Sequence, residues 1–210
     1  MRTTVLVAGL VLAAALPAQT SLIVSPAAYA TVNGSGGNSF PFGSASYSHW
    51  RYQQIHNDLP STFKTINGLA WRRAKSTSTY GAFTFDVQID MSTAATPTAT
   101  PVTAFDSNHG KDRITVVFGP GGPGTYLAVN WPATTPPAAE PAPFEYRLPF
   151  LLPFVFQNAP VCWEIRIMNR QNSGGGSCDY IGNAAMARIK WSHNMSGLKT
   201  STYGTGCTAS

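Results

Sequence analysis

Phe83, Phe85, Val87, Ile89 and Met91 alternate with Thr84, Asp86, Gln88 and Asp90, and this period of two predicts a long strand with one apolar and one wet face. Val161, Trp163, Ile165 and Ile167 alternate in the same way with Cys162, Glu164, Arg166 and Met168, as do Ala185, Ala187, Ile189 and Trp191 with Met186, Arg188 and Lys190. Further β runs are predicted over 63–73, 113–118, 126–131, 144–148 and 153–156. Gly- and Pro-rich breaks separate them at 34–43, 92–101, 119–124, 132–143 and 172–176. Glycine supplies positive φ at turns and proline removes ladder donors, so these breaks punctuate strands. Short alternating strands without helical periodicity predict an all-β fold. The expected form is an antiparallel two-sheet sandwich, jelly-roll or Greek-key like.

The amino terminus departs from this pattern. Arg2 precedes an unbroken apolar run from Val5 to Leu16, and Leu16-Pro17-Ala18 offers a processing site. That layout predicts a secretory signal peptide over 1–18, because the run is too short to cross a bilayer as a mature helix. The remaining chain then divides into a β-sandwich domain over 19–198 and a tail or linker over 199–210. The expected location is outside the cytoplasm, secreted or at the cell surface, with no membrane span in the mature chain.

Composition supports the β reading and narrows the partners. Charged residues make up only 11 % of the chain, too few to build the polar faces of long amphipathic helices. The net charge is +5, but the basic residues are scattered, with no run longer than Arg72-Arg73. A nucleic-acid binder gathers such charge into a stripe that displaces phosphate counterions, so nucleic acid is not an expected partner. Three cysteines, Cys162, Cys178 and Cys207, permit one intrachain bridge at most. Cys162 and Cys178 flank a Gly-rich loop and are the first candidates, with Cys178 and Cys207 next.

Few residues carry recognisable chemistry. Gly119 to Gly124 formally satisfies G-x-G-x-x-G, yet prolines interrupt it and a predicted strand follows where a helix is required, so a hairpin loop is expected. Asp106, Asn108 and Asp112 place oxygen ligands around Gly110 as a calcium loop does, without the further carboxylates such a loop uses. The competing reading is a tight turn with Asn108 to Gly110 in left-handed conformations and Asp106 as its cap. The four histidines show no zinc spacing, and no G-x-S-x-G elbow occurs. Asp86 and Asp90 lie about 13 Å apart along one strand, too far for a glycosidase pair, and are expected to meet Arg166, Arg188 or Lys190 across strands. Trp163 and Trp191 fall in apolar rows. Trp50, Tyr52 and Trp131, placed near loops, are the candidates for stacking on sugar rings.

The segments Tyr29 to Gly34, Asn38 to Gly43, Arg51 to Gln54, Ile66 to Arg72 and Pro149 to Phe154 resemble a family of exported bacterial β-sandwich proteins of unassigned function. The resemblance covers most of the chain after the leader and brings no catalytic residues with it. Members of that family often continue past a segment resembling Tyr203-Gly204-Thr205-Gly206-Cys207 into a small C-terminal β domain, which this chain is expected to lack. The expected function is a non-catalytic module that binds carbohydrate, or serves an envelope role, with extracellular polysaccharide or other cell-surface proteins as partners and no resident cofactor. The alternative is a glycan hydrolase using two of Asp86, Asp90, Glu145 and Glu164 as acid and base.

Overall fold

The computed structural model describes residues 22–39, 41–42, 49–59, 62, 64–156, 160–171, 176–181, 187–192, 201–203 and 208–209. The predicted leader lies outside them. The strands in chain order are β1 (Val24–Ser25), β2 (Gly36–Asn38), β3 (His49–His56), β4 (Lys64–Trp71), β5 (Phe83–Thr93), β6 (Ile114–Val117), β7 (Leu127–Trp131), β8 (Tyr146–Phe156), β9 (Val161–Gln171), β10 (Cys178–Tyr180), β11 (Ala187–Ser192), β12 (Ser201–Tyr203) and β13 (Thr208–Ala209). Two short 3-10 turns, Ala27–Tyr29 and Phe105–Asn108, are the only helical pieces among the described residues. No helix there is long and apolar enough to cross a membrane.

The protein is all-β and its strand pairings are antiparallel. A seven-stranded sheet runs β12-β11-β3-β9-β5-β6, with β7 also paired to β5; a four-stranded sheet runs β1-β13-β4-β8; β2 and β10 form a ribbon. The two larger sheets contribute to one apolar core. Trp50, Val87, Ile89, Trp163, Ile165 and Ile167 enter it from the larger sheet, and Ile66, Leu69, Trp71, Leu148, Phe154 and Phe156 from the smaller. Aromatic contacts tie them together: Trp71 meets Trp163 edge-on at 5.8 Å between ring centroids, and Trp131 lies tilted against Tyr146 at 5.0 Å. Burying each such side chain contributes about 1.5–3 kcal/mol, against the entropy lost in ordering the chain.

The strongly alternating runs became β5, β9 and β11. Several finer expectations are corrected. Trp50 and Tyr52 are not loop residues but lie on β3, at the centre of the larger sheet. They are 0 % and 2 % exposed, and Trp131 is 8 % exposed. None of the three therefore offers a ring face to a sugar. Their apolar area is committed to the core, where Trp131 packs on Phe42, Phe83, Phe85 and Tyr146.

The glycine loop 119–124 is not a hairpin. β6 pairs with the second half of β5 and β7 with the first half, so the two run in line along one edge and the loop is an excursion between them. Gly122 and Gly124 supply the positive φ that this excursion needs, at 89° and 96°. Residues 146–156 form one strand, β8, interrupted by a register jump rather than by a break. Stretch 199–210, read as a tail, contributes β12 to the larger sheet and β13 to the smaller.

Cys162 and Cys178 do not bridge each other. Cys162 sits on β9 opposite Ile55 and Ser92, whereas Cys178 pairs with Asn38 of the ribbon. Burial pushes the Cys162 thiol well above its ordinary range. Cys207 lies outside the described residues.

Candidate functional site

The outward side of the larger sheet carries the molecule's chemistry. Strand register lines its side chains into rows across β3, β9 and β5: Arg51, Arg166 and Gln88 in one, Gln53, Glu164 and Asp90 in the next, Ile55, Cys162 and Ser92 in a third. The period-two pattern predicts this face to be wet. It is wet only in part, because the chain between β5 and β6 folds back over the second and third rows. Phe105 and Asn108 of its 3-10 turn are buried, and Phe105 lies under the Arg51 guanidinium at 4.9 Å.

Closing that cover over charged side chains requires them to be paired, since an isolated ion in a low-dielectric interior costs several kcal/mol. Glu164, with no side-chain exposure, is the hub. Arg51 donates through Nε to Oε1 and through Nη2 to Oε2, both at 2.8 Å. Arg166 Nε lies 2.8 Å from Oε1, and Gln53 Nε2 donates to Oε2 at 3.2 Å. Asp90, directly opposite on β5, takes Arg113 through Nε at 2.9 Å and Nη2 at 2.5 Å, with Thr115 Oγ1 donating at 2.8 Å. Arg166 Nη2 reaches the same carboxylate at 3.1 Å, which is the cross-strand pairing expected of Asp90. Asp106, largely exposed, joins Arg51 at 3.2 Å to Arg113 at 2.6 Å. Three guanidiniums thus balance three carboxylates.

Ionisation follows from this geometry. Burial alone would raise Glu164, but His109, Arg166 and Arg51 outweigh it and hold the carboxyl at about 2. The guanidiniums are the firmer contacts, because His109 Nε2 stands 3.4 Å from Oε2 without hydrogen-bond geometry. Burial acts against the charge of Arg51, yet Glu164 and Asp106 raise its pKa overall. Asp106 is pulled below its usual range by Arg113 and Arg51 against its partial desolvation.

The oxygen ligands read as a calcium loop are spent on the protein itself. Asn108 Oδ1 accepts from Thr96 Oγ1 and the Val102 amide, and its Nδ2 donates to Gln53 Oε1. Asp112 caps β5 by accepting from the Thr93 amide and hydroxyl, and Asp106 holds the two arginines. Among the described residues no group of three His, Cys, Asp or Glu side chains is placed to hold a metal ion. The competing turn is also corrected: Asn108, His109 and Gly110 have no positive φ, and the turn closes through backbone, His109 N to Asp106 O.

Among the described residues two Ser-His-carboxylate sets occur, and neither is wired for nucleophilic attack. Ser92 Oγ meets His109 Nδ1 at 2.7 Å, but Ser92 is fully buried and the nearby Glu164 is committed to arginines. Ser25 Oγ lies 2.5 Å from His56 Nδ1 and donates to Asp58 Oδ1 at 2.5 Å. His56 Nε2 accepts the Trp163 indole N–H at 3.1 Å, which assigns the ring proton to Nδ1. A nitrogen already bearing a proton cannot take the serine's. Burial holds His56 neutral, with its pKa lowered to about 4.

Beyond the cover the outer face is partly exposed: Arg166, Met168 and Asp86 are half-buried, while Gln88 stays buried. Tyr126, half-buried, immediately precedes β7 and extends the row of Arg51, Arg166 and Gln88. Burial raises its phenol pKa, with Arg166 and Arg51 acting in the opposite sense. The next row holds Met168, Asp86 and exposed Ala128, where Asn169 Nδ2 donates to Asp86 Oδ2 at 2.6 Å. The sequence signal for this site was the Arg51-Tyr52-Gln53 alternation on β3, which places polar side chains opposite Glu164 and Asp90 once β3 is recognised as a strand.

The fold defines the class, an all-β protein of antiparallel sheets, and the site adds a buried, charge-balanced arginine–carboxylate cluster. No known protein family, curated protein or solved structure matches the chain.

Proposed function

We propose that this chain is a non-catalytic β module of the cell exterior that binds extracellular polysaccharide. The unbroken apolar run from Val5 to Leu16 behind Arg2 supports the location. One observation carries the non-catalytic reading: Glu164 and Asp90 are paired in register on adjacent strands, as two cooperating carboxyls would have to be, but arginines clamp both. A general acid needs a pKa raised towards neutrality, and Glu164 is driven to about 2. Glu145, whose pKa burial does raise, precedes β8 of the other sheet, away from this pair.

Incubation of the mature domain with soluble polysaccharides is therefore expected to release no new reducing ends, while at least one polymer retards the protein in an affinity gel. Hydrolysis abolished by Glu164→Gln would overturn the non-catalytic reading, and absence of retardation would overturn the binding one.

A structural envelope role has one observation in its favour. Among the described residues β8 pairs only with β4, and between Ile66↔Phe154 and Gly68↔Pro149 the residues Phe150 to Pro153 stand opposite Asn67 alone. Leu151, Leu152 and Val155 on this edge are 54 %, 47 % and 47 % exposed. An exposed apolar edge is a template for association. On this second reading, light scattering detects self-association that rises with concentration and is abolished by Leu151→Asp with Leu152→Asp. A monomer at all concentrations removes it.

A further inference from the structure

The covering chain over the larger sheet ends in a step. Asp106 and Arg113 form its lip, and the strand surface beyond is the floor, made by Arg166, half-buried Tyr126, Met168 and Asp86, and exposed Ala128. We propose that this ledge is the binding site for a neutral polysaccharide, an inference that rests on the polysaccharide-binding reading above and gives it a place and a ligand class.

Three features point to that ligand. The first is charge balance. Arg51, Arg113 and Arg166 are matched by Glu164, Asp90 and Asp106, and Asp86 on the floor adds one carboxylate, so the ledge presents strong hydrogen-bonding groups with no excess of positive charge, which suits hydroxyls better than an acidic polymer. The second is unspent capacity. Arg166 commits Nε to Glu164 and Nη2 to Asp90, leaving Nη1 at a side chain 19 % exposed. Asp106, 67 % exposed, has its Oδ1 on the arginines and its second oxygen facing solvent. One donor and one acceptor at the foot and lip of a step can bracket vicinal hydroxyls. The third is the half-buried Tyr126 ring on the same row as Arg166, with Ala128 and Met168 beside it. A sugar ring has an apolar C–H face as well as hydroxyls, and an aromatic ring next to aliphatic side chains receives that face.

The ledge is also pre-organised. Its floor is sheet, its lip is tied down by the ion cluster, and the Asp106–Arg113 contact is held by the buried Asp90. Little side-chain freedom is lost on binding, which favours affinity.

The test is affinity electrophoresis of the mature protein through gels containing hydroxyethylcellulose, xylan, mannan or alginate. It compares wild type with Tyr126→Ala, which removes the ring, and Ala128→Arg, which obstructs the floor from an exposed position. Leu151→Asp on the remote β8 edge is the control, and circular dichroism with thermal melting confirms that each variant is folded. The expected result is retardation of wild type and control by a neutral polymer, weakened at least about tenfold in both ledge variants. Retardation of both variants like wild type would overturn the ledge while leaving polysaccharide binding intact. Retardation by alginate alone would overturn the neutral ligand class. No retardation of wild type by any polymer would remove the binding reading and this site with it.

Discussion

Glu164→Ala is expected to destabilise the protein by about 3–5 kcal/mol in urea denaturation, because it leaves buried cations without their counter-charge. Arg51 is 4 % exposed at its side chain and Arg166 19 %, so neither can recover full hydration by turning outward. The same carboxylate makes stability depend on acid. Its folded pKa of about 2 lies below the 4.5 of an ordinary glutamate, a gap worth roughly 3 kcal/mol. The unfolded chain takes up this proton first, so the contribution is complete above pH 4.5, declines below it and is gone near pH 2. His56 acts in the same direction one window higher. Folded His56 stays neutral down to about 4, against an ordinary 6.5, so stability falls as pH drops from 6.5 towards 4. Stability measured against pH should decline through both windows in wild type and lose the lower one in Glu164→Ala.

Asp179→Ala has an effect of similar size in the β2–β10 ribbon. Asp179 and Arg72 are 2 % and 1 % exposed and pair at 2.7 Å, with Arg72 Nε donating to Oδ2 at 2.8 Å. The carboxylate also accepts the Gly34 amide at 3.0 and 2.8 Å, while Arg72 donates to the carbonyls of Tyr29 and Val32. One buried ion pair thus fastens the arm before β2 to both β4 and β10. Removing the carboxylate strands the guanidinium and frees the arm, with an expected loss of about 3–5 kcal/mol and early proteolytic cutting between residues 29 and 34. Gly34 is part of the same fastening, since a Cβ there would stand 2.4 Å from the Tyr180 carbonyl oxygen. A loss below about 1 kcal/mol with unchanged proteolysis would contradict this account.

The sequence pattern revealed β5 and β9 because their apolar positions alternate without interruption and one core accepts them all. It did not reveal β3, although Trp50, Arg51, Tyr52 and Gln53 alternate as a strand should. Gln54, in register with Trp163, puts an amide in the apolar row, and His56 stacks beside the Trp163 ring within the protein. Both polar groups are tolerated because they are hydrogen-bonded there, which composition cannot announce. Misplacing β3 also misassigned Trp50 and Tyr52, since an aromatic residue has the same composition whether it faces a core or a sugar. The outer face misled for a different reason. Arg51, Glu164 and Asp90 look solvent-facing in a period-two pattern, and only the return of the chain over them makes them interior. Residues far apart in sequence, such as Arg51 and Glu164 or Arg72 and Asp179, pair through topology, and no local pattern encodes that.

The claim on which the functional reading depends is that Glu164 is a permanently charged clamp and not a proton donor. A carboxyl-carbon NMR titration of Glu164 in the folded protein tests it directly. The account predicts a single midpoint well below 4.5, near 2; a midpoint above 5 would contradict it and return Glu164 to the list of candidate catalytic acids.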